Sequence, residues 1–415
     1  MTPETWRCRT AGRMRALPAM CLAACLLVVP AACGDLFTEA PRDADLFDAP
    51  LDGLSREEQA AFLEGDEQFG VQFRVADGLG PIFNDVSCAA CHSGDGRGRP
   101  ENALIRISRG TDPAFDVGGP QIQDRAIPGA VPETVPPGVD TSLRLPPPVF
   151  GVGLIEAIPV DDILANADPD DADGDGISGR PNMVTPPGFV PAHEPGAGPG
   201  PQLGRFGRKA QVSSLLQQVV DAYQQDIGIT TDFLVEENQN PQASRATEVA
   251  DRVPDPELGA PPVLATLDYL RMLAPPAPGE PTPRRERGEA VFGDIGCASC
   301  HVPEFTSGTN PIPGVSGRRV LLYSDLLLHD MGPGLADDRP DGDATGSEWR
   351  TAPLWGLRVM RDFLDGEAFL LHDGRASTVE EAIRLHGGEA EAARAAFEAL
   401  PAEDREALLD FVETR

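Results

Sequence analysis

The chain has 415 residues, which is long enough for two domains with ordinary hydrophobic cores. Only 6% of its residues are aromatic, and Gly and Pro number 44 and 42, so we expect helices joined by long loops rather than a large sheet. The 66 Asp and Glu outnumber the 34 Lys and Arg, and the net charge of −32 excludes a protein that binds nucleic acid or anionic lipid by charge.

The first 33 residues predict an export signal. Four Arg between positions 7 and 15 precede an apolar run of small residues over 16–32. The run ends at Cys33, which we expect to become the lipid-modified N-terminus of a lipoprotein; cleavage without lipid and an uncleaved anchor are the alternatives. No later run reaches the ~20 apolar residues of a membrane-spanning helix. The protein is therefore expected in the periplasm or cell envelope, held to the membrane only through this lipid.

Composition divides the remainder into four parts. Residues 34–55, rich in Asp, Pro and Ala, predict a tether. An apolar stripe from residue 56 opens an N-terminal domain over 56–273, and the Pro-rich stretch 274–283 predicts a linker. Residues 284–415 form the predicted C-terminal domain, which ends in helices over 378–386 and 389–414.

One pentad occurs twice. Residues 88–92 (CAACH) and 297–301 (CASCH) both read CxxCH, the attachment signature of c-type haem. Two thiols at this spacing can add to the haem vinyl groups, and the imidazole that follows can bind the iron. A zinc site would need its four ligands close together, and a thioredoxin-like CxxC does not require a trailing His. We therefore expect two covalently bound haem c groups, held by Cys88, Cys91, Cys297 and Cys300, with His92 and His301 as iron ligands.

The cysteine usage agrees with this interpretation. Of the eight Cys, three lie in the predicted signal, one is Cys33 and four belong to the pentads, so none remains for a disulfide. Such usage is consistent with an exported protein that receives its haem in the periplasm.

Two acidic features lie between the pentads. Glu156, in an otherwise apolar segment, is either an exposed carboxylate at a helix start or a proton acceptor above a haem. Asp171, Asp173 and Asp175 in the run DADGDG match the first half of a calcium loop, with a Gly for the turn. Because position twelve of this loop is Asn182 instead of Glu, a calcium site and a solvated acidic turn both remain open.

Seven segments together resemble the dihaem cytochrome c peroxidase superfamily, and in particular its di-haem oxidoreductase branch. They are GLGPIFNDVSCAACH (78–92), PPPVFGVGLIEAIP (146–159), DADGDGISGRPN (171–182), GRFGRKA (204–210), LLHDMGPGLAD (327–337), EWRTAPLWGL (348–357) and FLLHDGRASTVEEAIRLHGGEA (369–390). The resemblance implies a mainly α fold with two cytochrome c-like domains and long irregular loops. It also implies that one haem stores electrons while the other meets peroxide.

The resemblance extends to the iron ligands of the second haem. In the superfamily its distal ligand lies fourteen residues after the His of an HDG motif, and His372 plus fourteen is His386. We therefore predict that His301 and His386 bind the second iron, with Met331 as the alternative ligand and a helix cap as the alternative role of His386. His329 and His372 are expected to form hydrogen bonds near the haem rather than to bind iron.

The first haem lacks an evident second ligand. His193 is the spare imidazole of its half, and Met183 and Lys209 are weaker candidates. An iron without a sixth ligand is open to peroxide, and Glu156 is then the candidate proton acceptor by its place in a resembling segment. Two Arg of the C-terminal half, Arg350 and Arg375, are expected to pair with haem propionates.

These expectations lead to a dihaem c-type cytochrome oxidoreductase that reduces hydrogen peroxide with electrons from a small electron-transfer protein, such as a cytochrome c. The negative charge either serves solubility or steers a basic donor of this kind. The alternatives are an electron-transfer cytochrome without catalysis, and a dihaem oxidase or oxygenase that acts on an organic or protein substrate.

Overall fold

The structure, a computed structural model, describes residues 46–92, 94, 96–243 and 252–415. The predicted signal, Cys33 and the first part of the predicted tether lie outside these residues. Within the described ranges there are eleven α-helices and five two-stranded antiparallel sheets. The helices are α1 (Arg56–Phe69), α2 (Cys88–Cys91), α3 (Val152–Glu156), α4 (Val160–Leu164), α5 (Leu215–Ala222), α6 (Ala260–Met272), α7 (Pro283–Asp294), α8 (Met360–Phe363), α9 (Val379–Leu385), α10 (Glu391–Ala399) and α11 (Ala402–Glu413).

The strands are short, and long irregular segments connect the elements. They are β1 (Ile82–Phe83), β2 (Leu104–Ser108), β3 (Arg125–Ala126), β4 (Asp140–Arg144), β5 (Met183–Val184), β6 (Gln202–Leu203), β7 (Phe305–Thr306), β8 (Arg319–Val320), β9 (Leu328–Asp330) and β10 (Glu348–Arg350). They pair as β1–β3, β2–β4, β5–β6, β7–β8 and β9–β10. Helices are thus the main regular structure, as the composition predicts; the assignment of two cytochrome c-like domains stays a prediction.

Helices α1 and α6 cross closely in the N-terminal half. The Ser55 hydroxyl accepts a hydrogen bond from the Glu58 amide at 3.2 Å and the Glu58 carboxylate accepts from the Ser55 amide at 2.6 Å, a capping box that starts α1. At the crossing, a Cβ on Gly65 would collide with the carbonyl oxygen of Ala265. A glycine is therefore what lets the two backbones meet.

The C-terminal half repeats this arrangement with α7 and α11. The Thr282 hydroxyl accepts from the Arg285 amide at 3.2 Å, and Pro283 occupies the first turn of α7, where its missing N–H costs nothing. A Cβ on Gly288 would collide with the carbonyl oxygen of Ala407 in α11. In each half, the helix that precedes the CxxCH pentad thus crosses a later helix at a glycine.

The C-terminal helical stretch predicted over 389–414 is two helices. Helix α10 ends with Leu400 as its C-cap, and α11 begins after Pro401. A proline disfavours the helical conformation in the residue before it, so the chain turns there. The predicted helix over 378–386 corresponds to α9.

The largest hydrophobic cluster draws on both halves. It combines α1, α3, α5 and α6 with apolar residues that follow the predicted linker, among them Phe305, Leu322 and Trp355. A second cluster joins α7, α9 and α11 through buried residues such as Phe292 and Phe411.

The described part of the predicted tether, residues 46–55, is packed rather than extended into solvent. The Phe47 ring stacks on Phe363 with centroids 4.2 Å apart, and the Leu51 amide donates to the Met272 carbonyl at 2.8 Å. The few apolar side chains in this Asp- and Pro-rich stretch, Phe47, Leu51 and Leu54, are buried in the main core, and their burial fixes the segment. None of the helices in the described ranges is both long enough and apolar enough to cross a bilayer.

Candidate functional site

One cavity of about 620 Å³ connects the two pentads. Its wall includes all four pentad thiols, and apolar side chains from α5, α6, α9 and the loop around Trp355 line much of the rest. A largely apolar cavity with a few convergent polar groups, in a volume between about 300 and 1,000 Å³, is typical of cofactor and ligand sites.

His92 lies at the end of α2, the short helix that carries Cys88 and Cys91. The Ser87 hydroxyl caps this helix by accepting from the Ala90 amide at 3.1 Å. The His92 Nδ1 lies 3.4 Å from the Gly96 carbonyl oxygen. Burial lowers the pKa of His92 to about 4 although carbonyl groups of Gly96 and Pro147 oppose this shift. The imidazole is therefore neutral at physiological pH, the form that binds iron.

His301 and His386 have matching hydrogen bonds. The His301 Nδ1 donates to the Tyr323 carbonyl at 2.8 Å, and the His386 Nδ1 donates to the Ala382 carbonyl at 2.7 Å. Burial lowers the pKa of both imidazoles, that of His301 to about 4. A carbonyl at Nδ1 leaves the Nε2 lone pair for a metal, and both residues line the cavity. This is the tautomer that the predicted His301/His386 iron-ligand pair requires.

His329 has both ring nitrogens bonded to carboxylates. Its Nε2 lies 2.8 Å from Asp325 and its Nδ1 lies 2.8 Å from Glu389. Burial alone would lower the pKa of His329, but its hydrogen bonds to Asp325, Cys300 and Glu389 outweigh burial and raise the pKa to about 12. His329 is thus a cation that holds Glu389 against the second pentad, and its nitrogens are not available to a metal.

His372 stacks on Trp349. Their ring centroids are 3.7 Å apart with an angle of 13° between the planes, and both rings line the cavity. The ammonium of Lys209 lies 4.4 Å from the centroid of the same indole. Trp349 belongs to β10, and the register with β9 places it opposite His329.

The two Arg predicted to pair with propionates differ in position. Arg350 is in the cavity wall, and its Nε donates to the Gly207 carbonyl at 3.0 Å. Arg375 does not line the cavity; it is paired with Asp373 at 2.6 Å and donates to the Gly334 carbonyl at 2.9 Å. Arg375 directly follows the HDG turn, and its guanidinium forms an ion pair with Asp373 of that turn.

Four further Arg that the sequence did not reveal as site residues lie in the cavity wall: Arg97, Arg205, Arg208 and Arg394. The buried Nε atoms of Arg97 and Arg205 have no hydrogen-bond partner among the described residues. Burial lowers the pKa of both guanidiniums to about 10, so they remain charged. Charged side chains that still have a free N–H donor in an apolar wall can bind an anionic group such as a haem carboxylate.

Glu156 does not reach the cavity. Its carboxylate accepts two hydrogen bonds from Arg271, at 2.7 and 3.1 Å, and Arg271 also binds Glu194 at 2.6 Å. Helix α3 presents Ile155 to the cavity and Glu156 to α6 instead. The expectation that Glu156 accepts a proton above a haem therefore does not fit its position, which is that of a buried ion pair.

The other ligands considered for the first iron also lie elsewhere. His193 is 82% exposed in its side chain, and Met183 is on the surface. The Lys209 ammonium is buried and donates to Asp337 at 2.8 Å and to the Thr345 carbonyl at 2.7 Å. None of the three lines the cavity, whereas Met331 does.

The acidic loop before β5 brings together a different set of carboxylates from the predicted one. Oxygen atoms of Asp168, Asp171 and Asp173 lie within 4.8 Å of one another. The Asp175 carboxylate instead accepts from the Ile177 amide at 2.8 Å. Asn182 is buried and its amide donates to the Lys209 carbonyl at 2.7 Å, so position twelve does not close the loop.

Comparisons with known proteins give three results. Hydrazine synthase of Kuenenia stuttgartiensis, solved under 20 bar of xenon, is 15% identical over 100% of both chains with a TM-score of 0.38. A MauG-like protein associated with microbial copper homeostasis is 18% identical over 37% of this chain and 52% of its own, with a TM-score of 0.25. Both TM-scores are too low to bear on this chain, and no curated protein matches it. The model of the family described as "Di-haem oxidoreductase, putative peroxidase" matches residues 34–107 and 135–415, and the chain therefore belongs to this family.

Proposed function

We propose that this di-haem oxidoreductase attaches two haem c groups covalently in the cavity and reduces hydrogen peroxide with electrons from a small electron-donor protein. The single observation that carries the proposal is the continuous cavity between the pentads, which differs at its two ends. At one end His301 and His386 both offer an Nε2 lone pair. At the other end His92 has no comparable partner among the described residues that line the wall, because His329 is bonded at both nitrogens and His372 is stacked on Trp349.

The residues present fit haem at both ends. The thiols of the two pentads would form the thioethers, and His92, His301 and His386 would bind the irons. Cations for the haem carboxylates are supplied by the buried Arg97, Arg205 and Arg208 and by the partly buried Arg350. When bound, haem iron supplies one-electron redox chemistry, and an iron with an open position can bind peroxide. The largely apolar wall lowers the local dielectric constant, which strengthens the electrostatic interactions inside.

Electron paramagnetic resonance of the purified holoprotein, fully oxidised and half-reduced, tests the proposal. We expect a low-spin signal from the His301/His386 iron and a high-spin ferric signal from the other iron in at least one state. The variant His386→Ala should convert the low-spin signal to high spin, whereas His193→Ala, at an exposed position, should leave it unchanged. Two low-spin signals in both states would instead indicate an electron carrier.

Turnover separates peroxide reduction from oxidase or oxygenase chemistry. A reduced small cytochrome should be oxidised rapidly when hydrogen peroxide is added, with two cytochromes consumed for each peroxide. Oxidation that requires dioxygen and an organic substrate, without a response to peroxide, would contradict the proposal.

We also propose a calcium ion at Asp168, Asp171 and Asp173 and a lipid on Cys33, which lies outside the described residues. Calcium should raise the melting temperature of the wild type but not of Asp171→Asn, with the exposed Asp170→Asn as the control.

The variant Cys33→Ser should move the protein from the membrane fraction to the soluble envelope fraction. Unchanged melting or unchanged fractionation would remove the respective proposal.

A further inference from the structure

Residues 108–134 form a segment that the family model does not match. The segment packs directly beside the first pentad. Its strand β3 pairs with β1, with Ile82 opposite Ala126 and Phe83 opposite Arg125, five residues before Cys88. The side-chain amide of Gln123 donates to the Gln225 carbonyl at 2.8 Å. This chain therefore adds its own contacts to the wall of the His92 end of the cavity.

Asp226 is a cavity carboxyl that accepts a hydrogen bond from this segment. It lies in a π-helical turn, Tyr223–Ile227, that follows α5, and it is part of the cavity wall together with Cys91 and His92. Turns of this kind occur frequently at functional sites. The buried Gln121 amide donates to the Asp226 Oδ1 at 2.6 Å and to the Asn84 Oδ1 at 3.0 Å, which fixes the orientation of the carboxyl.

The charges around Asp226 leave it able to exchange a proton near neutral pH. Burial raises its pKa to about 6, while the Gln121 hydrogen bond and the charge of Arg106 lower it and Asp221 raises it. Asp85, from the segment before α2, also lines the cavity and is paired with Arg125 at 3.2 Å. A carboxyl whose pKa lies near the working pH is suited to general acid–base catalysis.

We infer that Asp226 is the proton-transferring carboxyl at the His92 end of the cavity, and that Gln121, supplied by the segment 108–134, is its positioning residue. This inference rests on the proposed peroxide reduction. In that reaction the Asp226 carboxylate accepts a proton from one oxygen of hydrogen peroxide and gives it to the other, which leaves as water when the O–O bond breaks. Two electrons from the donor protein and two protons from solvent convert the remaining oxygen into a second water.

The test compares Asp226→Asn with Asp221→Asn in the holoprotein. Asp221 is a neighbouring carboxyl on α5 that does not line the cavity, so it is the matched control. We expect Asp226→Asn to lower kcat/KM for peroxide by about 10²–10⁴-fold and to abolish the pH dependence with a midpoint near 6. Asp221→Asn should keep the rate within a few-fold and retain a pH dependence, with its midpoint moved to lower pH because the charge of Asp221 raises the pKa of Asp226.

Fluoride affinity of the ferric protein gives a readout that does not need turnover. Binding of this anion takes up a proton, so in the wild type the affinity should fall about tenfold per pH unit above the midpoint of the carboxyl, and Asp226→Asn should remove this dependence. Gln121→Leu should move the midpoint to higher pH because the carboxylate loses its hydrogen bond. If Asp226→Asn does not fold, Gln121→Leu still tests the inference. An unchanged midpoint of the fluoride affinity in Gln121→Leu would overturn it.

The failures are distinguishable. If the wild type does not turn over peroxide, the proposed function fails and the proton-transfer role fails with it. If the wild type turns over peroxide and Asp226→Asn matches it in rate and pH profile, only the assignment of Asp226 fails.

Discussion

His329 shows how a single residue ties the second pentad to distant parts of the chain. It bonds Asp325 on one side and Glu389 on the other, and Glu389 in turn accepts from the Ser178 hydroxyl at 2.7 Å. Burial opposes ionisation of Glu389, but the hydrogen bonds from His329, Ser178 and Asp330 lower its pKa to about 2. The cluster is thus one imidazolium that pairs with two carboxylates. One of them, Glu389, follows His386 by three residues.

The pKa of His329 predicts a pH dependence of stability. Because its folded pKa of about 12 exceeds its ordinary value of 6.5, its contribution is complete below pH 6.5 and is lost as pH rises from there towards 12. The pKa of Glu389 is shifted in the opposite direction, below its ordinary value of 4.5. The contribution of Glu389 to stability is therefore lost as the pH falls below 4.5. The cluster should therefore stabilise the fold most between these two ordinary values.

The variant His329→Gln should remove the alkaline part of this dependence. We expect the wild-type free energy of unfolding to fall between pH 6.5 and 9 by up to about 1.4 kcal/mol per pH unit, and the variant to lack this slope. At pH 6 the variant should be less stable by about 3–5 kcal/mol, because the buried Asp325 carboxylate and the partly buried Glu389 carboxylate lose their cation. Denaturant titrations across this pH range measure both effects, with His193→Gln as the exposed control. Equal slopes in wild type and variant would contradict the assigned charge.

At the same scale, sequence predicts residues whose chemistry depends on local spacing. The pentads and the interval from His372 to His386 are of this kind, and these residues do line the cavity. Glu156 is different, because an acid among apolar neighbours does not reveal which helix face meets the cavity and which meets Arg271. Arg97 and Asp226 likewise could not be assigned, since their role depends on contacts with segments distant in the chain.

At the scale of elements, the crossings at Gly65 and Gly288 explain why α1 packs on α6 and why α7 packs on α11. Amphipathic pattern predicts that these segments are helical, but it does not predict the partner of each helix. Each helix packs against the helix whose backbone can approach it closely. Such a close approach is possible only at a residue without a side chain, which is a glycine. The break at Pro401 belongs to the same scale, and there the local rule for proline could have predicted it.

Gly288→Ala should destabilise the C-terminal half. The added Cβ would meet the carbonyl oxygen of Ala407, and a backbone atom cannot move aside as a flexible side chain can. We expect a loss of about 1–3 kcal/mol in the free energy of unfolding. Gly293→Ala is the matched control on the same helix, because nothing lies within 4 Å of its added Cβ, and its effect should be neutral or stabilising by up to about 1 kcal/mol. Equal effects of the two substitutions would show that the crossing tolerates a side chain.

At the scale of the whole molecule, the cavity and the main core both extend over residues from each side of the predicted linker 274–283. Phe305, Leu322 and Trp355 pack with the N-terminal helices, and the Arg358 guanidinium donates to the Ala277 carbonyl at 3.1 Å. Composition predicts the Pro-rich stretch but not that the chain after it returns to the first core. Shared packing of this kind gives the two pentads a fixed relation, which electron transfer between two haems would need.

The net charge of −32 leads to a last prediction, on the encounter with an electron donor. A charge of this size creates a long-range field that steers oppositely charged partners and that salt screens over about 8–10 Å. The rate at which the holoprotein oxidises a basic cytochrome c in the presence of peroxide should therefore fall about tenfold or more between roughly 20 and 200 mM NaCl. An acidic cytochrome should react more slowly at low salt and lose less, and a small uncharged reductant should show no dependence. If the basic and acidic donors respond to salt alike, the charge serves solubility and does not select the donor.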